Sequence, residues 1–153
     1  MDEPTKQFFV DCIATICESL AAWTGDKISG VDGHQLSDLF LTKRGSEDCS
    51  NENLLRNCQE QGMDCSSLVF YHCDLGPGNI ITSPGGSVGI IDWETAGFVP
   101  KEWVRTKFRI SSGMDIPAED EKARTDWRRR VAQRLEILGF QDVAAGWASW
   151  WCS

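Results

Sequence analysis

VFYHCDLGPGNIITSPGGSVGIIDWE, residues Val69 to Glu94, is the stretch whose reading decides the fold. It holds His72, one of only two histidines in the chain, and two aspartates, Asp74 and Asp92. Asn79 to Thr82 reads as a short apolar strand. Ser83-Pro84-Gly85-Gly86 is turn chemistry, and Ser87 to Asp92 is a second strand. A hairpin returns its second strand to the start of its first, so Asp92 is expected close to Asn79. Gly76-Pro77-Gly78 allows the preceding loop to turn tightly enough for Asp74 and Asn79 to converge. Two carboxylates and an amide oxygen then share one place, and such oxygen-only donors suit Mg²⁺, which takes few protein oxygens and completes its shell with water and phosphate. A plain strand-turn-strand with polar caps leaves unexplained why His, Asp, Asn and Asp fall together here.

Working outward, Phe9, Ile13, Ile16, Leu20 and Trp23 step by four, three, four and three. That spacing predicts an amphipathic helix with Thr5 as N-cap, ending near Thr24-Gly25 and burying that stripe. Lys27 to Gly33 reads as a short extended piece and a turn anchored by Ile28 and Val31, with His34 a loop residue. Gln35 to Cys49 is irregular, held by Leu36, Leu39, Phe40 and Leu41. Ser50 caps a short helix from about Asn51 to Gln61 that Gly62 stops. Ser67 to Tyr71 is an apolar strand entering the central stretch. Beyond it, Thr95-Ala96-Gly97 is a turn, and a helix begins at Val99 to Glu102 with Pro100 in its first turn and Trp103, Val104 and Phe108 inward. Ser111 to Gly113 breaks that helix and Glu119 to Glu121 is an acidic loop. Trp127, Val131, Leu135 and Leu138 mark a helix over Asp126 to Leu138, capped by Gly139. Gln141 to Trp151 forms a last helix with Val143 and Trp147 on one face.

The net charge of -8 argues against a nucleic-acid partner, which needs a basic face. Arg128-Arg129-Arg130 is the local exception and reads as a solvated helix face. Seven cysteines, an odd number without a CxxC pair, read as reduced thiols, and zinc-site spacing is absent. No apolar run approaches the roughly 18 residues of a membrane helix. The acidic, polar Met1-Asp2-Glu3-Pro4 is no signal peptide, so a cytoplasmic location without membrane contact is expected. The seven tryptophans read mainly as core, with Trp147, Trp150 and Trp151 close enough together near the end to offer a contact surface as the alternative.

The central stretch matches the kinase catalytic loop H-R-D-x-x-x-x-N, with Cys73 in the middle place, and is followed by a metal-type aspartate in Ile90-Ile91-Asp92-Trp93-Glu94. It resembles the aminoglycoside phosphotransferase and choline kinase-like family, where I-D-W-E stands as the equivalent of D-F-G. Ala96 to Asp115 is similar to fungal members of that family. The resemblance implies the helical C-terminal lobe of a protein kinase-like fold, mainly α within an α+β class, with a small hairpin carrying the site. One domain over 1–153 is expected: helices and loop at 1–68, catalytic loop and hairpin at 69–94, helices at 95–153. The family's smaller lobe, with its phosphate-covering loop and strand lysine, finds no counterpart ahead of His72, and truncation is expected.

By resemblance, Asp74 orients or deprotonates a substrate hydroxyl and His72 braces the loop. Asn79 and Asp92 hold Mg²⁺, Glu94 supports the metal site, and Cys73 stands where relatives commonly carry glycine or arginine. ATP and Mg²⁺ are then the cofactors and a small molecule the substrate. Two other readings share the residues. One is an ATP-independent lyase, isomerase or cyclase of secondary metabolism, using His72, Asp74 and Asp92 for acid-base chemistry. The other is a non-catalytic, pseudokinase-like binding module. A homodimer through the face left open by a missing lobe fits any of the three.

Overall fold

A computed structural model describes residues 2–153. Helix α1 spans Glu3–Leu20, and Asp2, not Thr5, caps it: the Thr5 backbone N–H donates to the Asp2 carboxylate at 2.8 Å. That bond, made to an ionised acceptor, holds the Asp2 carboxyl below its usual range. The cap therefore contributes above the unfolded carboxyl value and weakens as pH falls through the depressed one. The buried face of α1 is Val10, Ile13, Ala14 and Cys17. Phe9, Ile16 and Leu20 are half-buried beside it, and Trp23, beyond the helix end, is 63% exposed. The expected stripe is thus turned by one residue toward smaller side chains, and α1 packs on α4 (Glu121–Ile137) and on the strand at Leu68–Tyr71.

Four short strands form an antiparallel sheet, of which the sequence indicates one as the strand at Ser67 to Tyr71 and another within the extended piece at Lys27 to Gly33. Its order is β1 (Thr24–Gly25), β3 (Leu68–Tyr71), β6 (Gly97–Pro100) and β2 (Ser29–Gly30). Every residue of β3 is buried, so the strand reads as a continuous apolar run rather than an alternating one. Gly97 is a strand residue rather than part of a turn, and it is forced to be glycine. A β-carbon there would collide with the Ser29 carbonyl oxygen and lie 2.6 Å from Leu36 Cδ1, wedging β2 off β6. Val31, expected as an anchor, is exposed, whereas Ile28 is buried.

The remaining helices follow the reading with shifted ends. Helix α2 (Asn51–Glu60) is capped by Ser50, and Gly62 takes the left-handed φ of 83° that ends it. Helix α3 (Lys101–Ile110) starts on Pro100 and buries Trp103, Val104 and Phe108 completely. Helix α4 begins a full turn before Asp126 because Asp120 caps it, accepting from the Ala123 N–H at 2.7 Å. Helix α5 (Ala144–Cys152) is last.

Two surface readings are corrected. Arg128 and Arg130 are not a solvated face: Arg128 pairs with Asp115 and donates to the Phe108 and Arg109 carbonyls, and Arg130 pairs with Glu3 and Asp126. These bonds fasten α4 to the end of α3 and to the start of α1. The late tryptophans are held by the fold, with Trp147 buried, as the core reading expects, and Trp150 and Trp151 half-buried. The Trp147 indole donates to the Phe40 carbonyl at 2.9 Å, Trp151 stacks on Trp147, and the Trp150 indole donates to Glu60 at 2.9 Å. They tie α5 to α2 and to the turn at Leu39–Leu41 instead of offering a contact surface.

Candidate functional site

Strand β3 ends at Tyr71, and the chain then leaves the sheet for the loop that holds His72, Cys73 and Asp74. The expected hairpin is present. Strand β4 (Ile80–Thr82) pairs with β5 (Val88–Ile90), in the register Ile80 to Ile90 and Thr82 to Val88. One further bond, Ile91 N–H to the Asn79 carbonyl at 2.9 Å, carries the pairing to the start of the hairpin. Asp92 is the next residue, so the return strand delivers it beside Asn79 as the sequence pattern required.

Gly76 positions the loop between Asp74 and Asn79. A β-carbon on it would lie 2.7 Å from the Gly113 carbonyl oxygen, so glycine lets the loop seat directly on the turn Ser112–Met114 after α3. The Asn79 amide then points back into the loop, donating to the Asp74 backbone carbonyl at 2.8 Å and to Asp74 Oδ2 at 3.2 Å. Because its nitrogen is spent inward, the Asn79 amide oxygen is the atom left for a ligand. Asp74 keeps Oδ1 free, since Oδ2 takes the Asn79 bond.

His72 is fully buried and joins the two halves of the motif. Its Nδ1 accepts from the Asp74 backbone N–H at 3.1 Å, and its Nε2 stands 2.9 Å from the Ile91 carbonyl. An amide N–H can only donate and a carbonyl can only accept. Nδ1 therefore offers a lone pair and Nε2 carries the proton. The ring fixes the backbone at Asp74 to the backbone one residue before Asp92. Trp93 packs edge-on against the imidazole, with ring centres 4.8 Å apart, and Thr95 Oγ1 donates to the His72 carbonyl at 3.3 Å. Neither Trp93 nor Thr95 was singled out from sequence. The only signal for Trp93 was its place between Asp92 and Glu94.

Two motif residues sit in the left-handed backbone region, Cys73 at φ 70° and Asp92 at φ 61°. Aspartate tolerates that region, whereas a cysteine there holds strain that the surrounding bonds must maintain. Glycine at position 73 would relieve it. Cys73 is also buried, and burial pushes its thiol well above the ordinary range, so it packs as a neutral group. Asp74, Asp92 and Glu94 are all exposed. Among the described residues none of the three lies within ion-pair distance of a basic side chain.

The donor set fits Mg²⁺ on chemical grounds. Among the described residues no three His, Cys, Asp or Glu side chains gather into a ready-made metal cage. An ion held here would take the Asn79 oxygen and an Asp92 oxygen and fill the rest of its shell from water and phosphate, which is the Mg²⁺ habit. Also among the described residues, no helix is long and apolar enough to cross a membrane.

Comparison with known proteins agrees with this geometry. Residues 32–100 match the model of the phosphotransferase enzyme family. A trifolitoxin immunity protein of Rhizobium leguminosarum bv. trifolii is 59% identical over 29 residues, a stretch covering 19% of this chain and 11% of that protein. No solved structure matches the chain. The matched stretch includes every candidate site residue from His72 to Glu94.

Proposed function

We propose that the chain supplies the catalytic loop and metal-holding residues of a magnesium-dependent phosphotransferase acting from ATP on a hydroxyl of a small molecule. The observation that carries this reading is the pair of hydrogen bonds made by the His72 ring, Nδ1 accepting from the Asp74 N–H and Nε2 donating to the Ile91 carbonyl. It makes the loop and the metal-type aspartate one rigid unit, as phosphoryl transfer requires, because that reaction is accelerated by positioning and charge neutralisation. Asn79 and Asp92 would hold Mg²⁺, which when bound supplies charge neutralisation at phosphate oxygens. Asp74 offers its free Oδ1 to orient an acceptor hydroxyl and take its proton. Exposure leaves that oxygen open to substrate.

The same bonds bear on the acid-base alternative. Both His72 nitrogens are engaged inside the chain, and the ring is sealed from solvent. An ATP-independent reaction at this place would rest on Asp74, Asp92 and Glu94 alone.

The test is transfer of label from γ-labelled ATP to a set of amino-alcohol and polyhydroxylated acceptors. The expected result is labelled acceptor that forms with Mg²⁺ and disappears on chelation. Conversion of an acceptor without nucleotide or metal would contradict the reading and favour acid-base chemistry.

A further inference from the structure

Strands β3 and β6 pair in a register that sets Tyr71 opposite Gly97. Carried on past the strand ends, the same register brings His72 opposite Ala96 and Cys73 opposite Thr95. Backbone pairing stops before that point, because both chains turn away. One enters the left-handed turn at Cys73, φ 70°, and the other the turn that the Ala96 N–H closes on the Trp93 carbonyl at 3.1 Å. A side chain takes over where the ladder ends: the Thr95 hydroxyl donates to the carbonyl of the fully buried His72 at 3.3 Å.

Two peptide planes meet at Cys73, and each is held by a hydrogen bond. The plane after it carries the Asp74 N–H, which donates to His72 Nδ1 at 3.1 Å. The plane before it carries the His72 carbonyl, which Thr95 holds. A non-glycine residue at φ 70° lies above the extended and right-handed wells in energy. Once the earlier plane is freed, Cys73 can rotate toward an ordinary φ, and that rotation swings the Asp74 backbone and its free Oδ1. We infer that Thr95 is a positioning residue of the phosphoryl transfer proposed above, which keeps the strained turn at Cys73 from relaxing and so keeps Asp74 aimed. The role in catalysis rests on that reading, whereas the clamp rests on the bonds alone.

The side-chain type fits the task. Branching at Cβ limits Thr95 to few χ1 rotamers, so its hydroxyl is held ready at little loss of freedom. Thr95 also lies just past Asp92 in the chain. Its bond is therefore a second tie between the segment of the metal-type aspartate and the catalytic loop, beside the one from His72 Nε2 to the Ile91 carbonyl. The demand for it comes from Cys73, since glycine takes a left-handed φ without strain and has no drive to leave it.

Amide hydrogen exchange, resolved by residue with NMR on the full chain, tests the clamp without substrate. Thr95→Val keeps the shape of the side chain and removes the donor. It is expected to speed exchange of the Asp74 N–H by about tenfold, while the Ile91 N–H, bonded to the Asn79 carbonyl across the hairpin, keeps its rate. Thr95→Ser restores the slow rate. In a Cys73→Gly background, Thr95→Val is expected to leave the Asp74 rate unchanged. In transfer from ATP, Thr95→Val is expected to lower kcat by about 10- to 100-fold without moving the nucleotide KM, and Thr95→Ser to recover it. An Asp74 rate unmoved by Thr95→Val, a rise shared equally by Ile91, or an equal effect in the glycine background would overturn the clamp. Faster exchange with kcat intact would overturn the positioning role. A wild-type chain that shows the exchange pattern but transfers no phosphoryl group would overturn the phosphotransferase reading, and the catalytic role with it, while the clamp stands.

Discussion

Asp74→Asn is expected to lower phosphoryl transfer by about 10²- to 10⁴-fold, the span that a positioned general base contributes. The substitution keeps the shape of the side chain. The amide oxygen of an asparagine still accepts from Asn79 Nδ2, and the backbone bonds from Asn79 to the Asp74 carbonyl and from the Asp74 N–H to His72 do not involve the side chain. Stability should move by no more than about 0.5 kcal/mol, as expected of an exposed surface change. Nucleotide affinity should change little, because Asn79 and Asp92, not Asp74, are assigned to the metal. The decisive pattern is a collapsed rate with unchanged urea midpoint. A variant that keeps its rate would remove Asp74 from the reaction. One that unfolds would show that the residue holds the loop rather than the substrate.

The largest effect on stability is expected at Asp38, far from the site in sequence. Its carboxylate is 3% exposed and accepts from Lys107 Nζ at 3.1 Å on both oxygens, from the Trp103 indole at 2.9 Å and from the Phe40 N–H at 3.2 Å. The Lys107 ammonium also lies 4.5 Å from the centre of the Phe40 ring. A buried ion pair adds little over apolar packing, but loss of one partner strands the other charge. Asp38→Ala leaves an ammonium and an indole N–H unpaired in the core and should cost about 3–5 kcal/mol. Read from the shift in urea midpoint at constant slope, a loss below about 1 kcal/mol would mean that water reaches the pair in the folded state. The consequence spreads, since Asp38 also caps the Leu39–Leu41 turn that receives the Trp147 indole.

Neither Asp38 nor Lys107 was legible in the sequence, and the reason is distance: they are 69 residues apart, and no local pattern couples them. What was legible was local. The hairpin from Ile80 to Ile90 is written in turn residues and short apolar runs, and it carried Asp92 back to Asn79. Helices α2, α3 and α4 were found from caps and spacing. Strand β1 was not, because two residues such as Thr24-Gly25 show no alternation and exist only through partners found by folding, and β2 was legible only as an extended piece within Lys27 to Gly33. On α1 the 3.6-residue period admitted two neighbouring stripes. The sequence favoured the larger side chains of Phe9 and Ile16, whereas the folded chain buries Val10, Ala14 and Cys17 with Ile13. At the site, the residue types were readable and the bracing was not. The bond from His72 to the Ile91 carbonyl joins positions 19 apart through a backbone atom, which no side-chain motif records.

Asn79 and Asp92, held in register by the hairpin and by His72, are proposed to form a place for a magnesium-bound nucleotide. Calorimetric titration of the chain with Mg-ATP, beside the Asp92→Ala variant, tests it most directly. The expected result is saturable binding with a dissociation constant below about 1 mM, equivalent to roughly 4 kcal/mol or more, lost in the variant and lost on chelation of the metal. Absence of binding up to millimolar nucleotide, or binding that Asp92→Ala leaves intact, would contradict it.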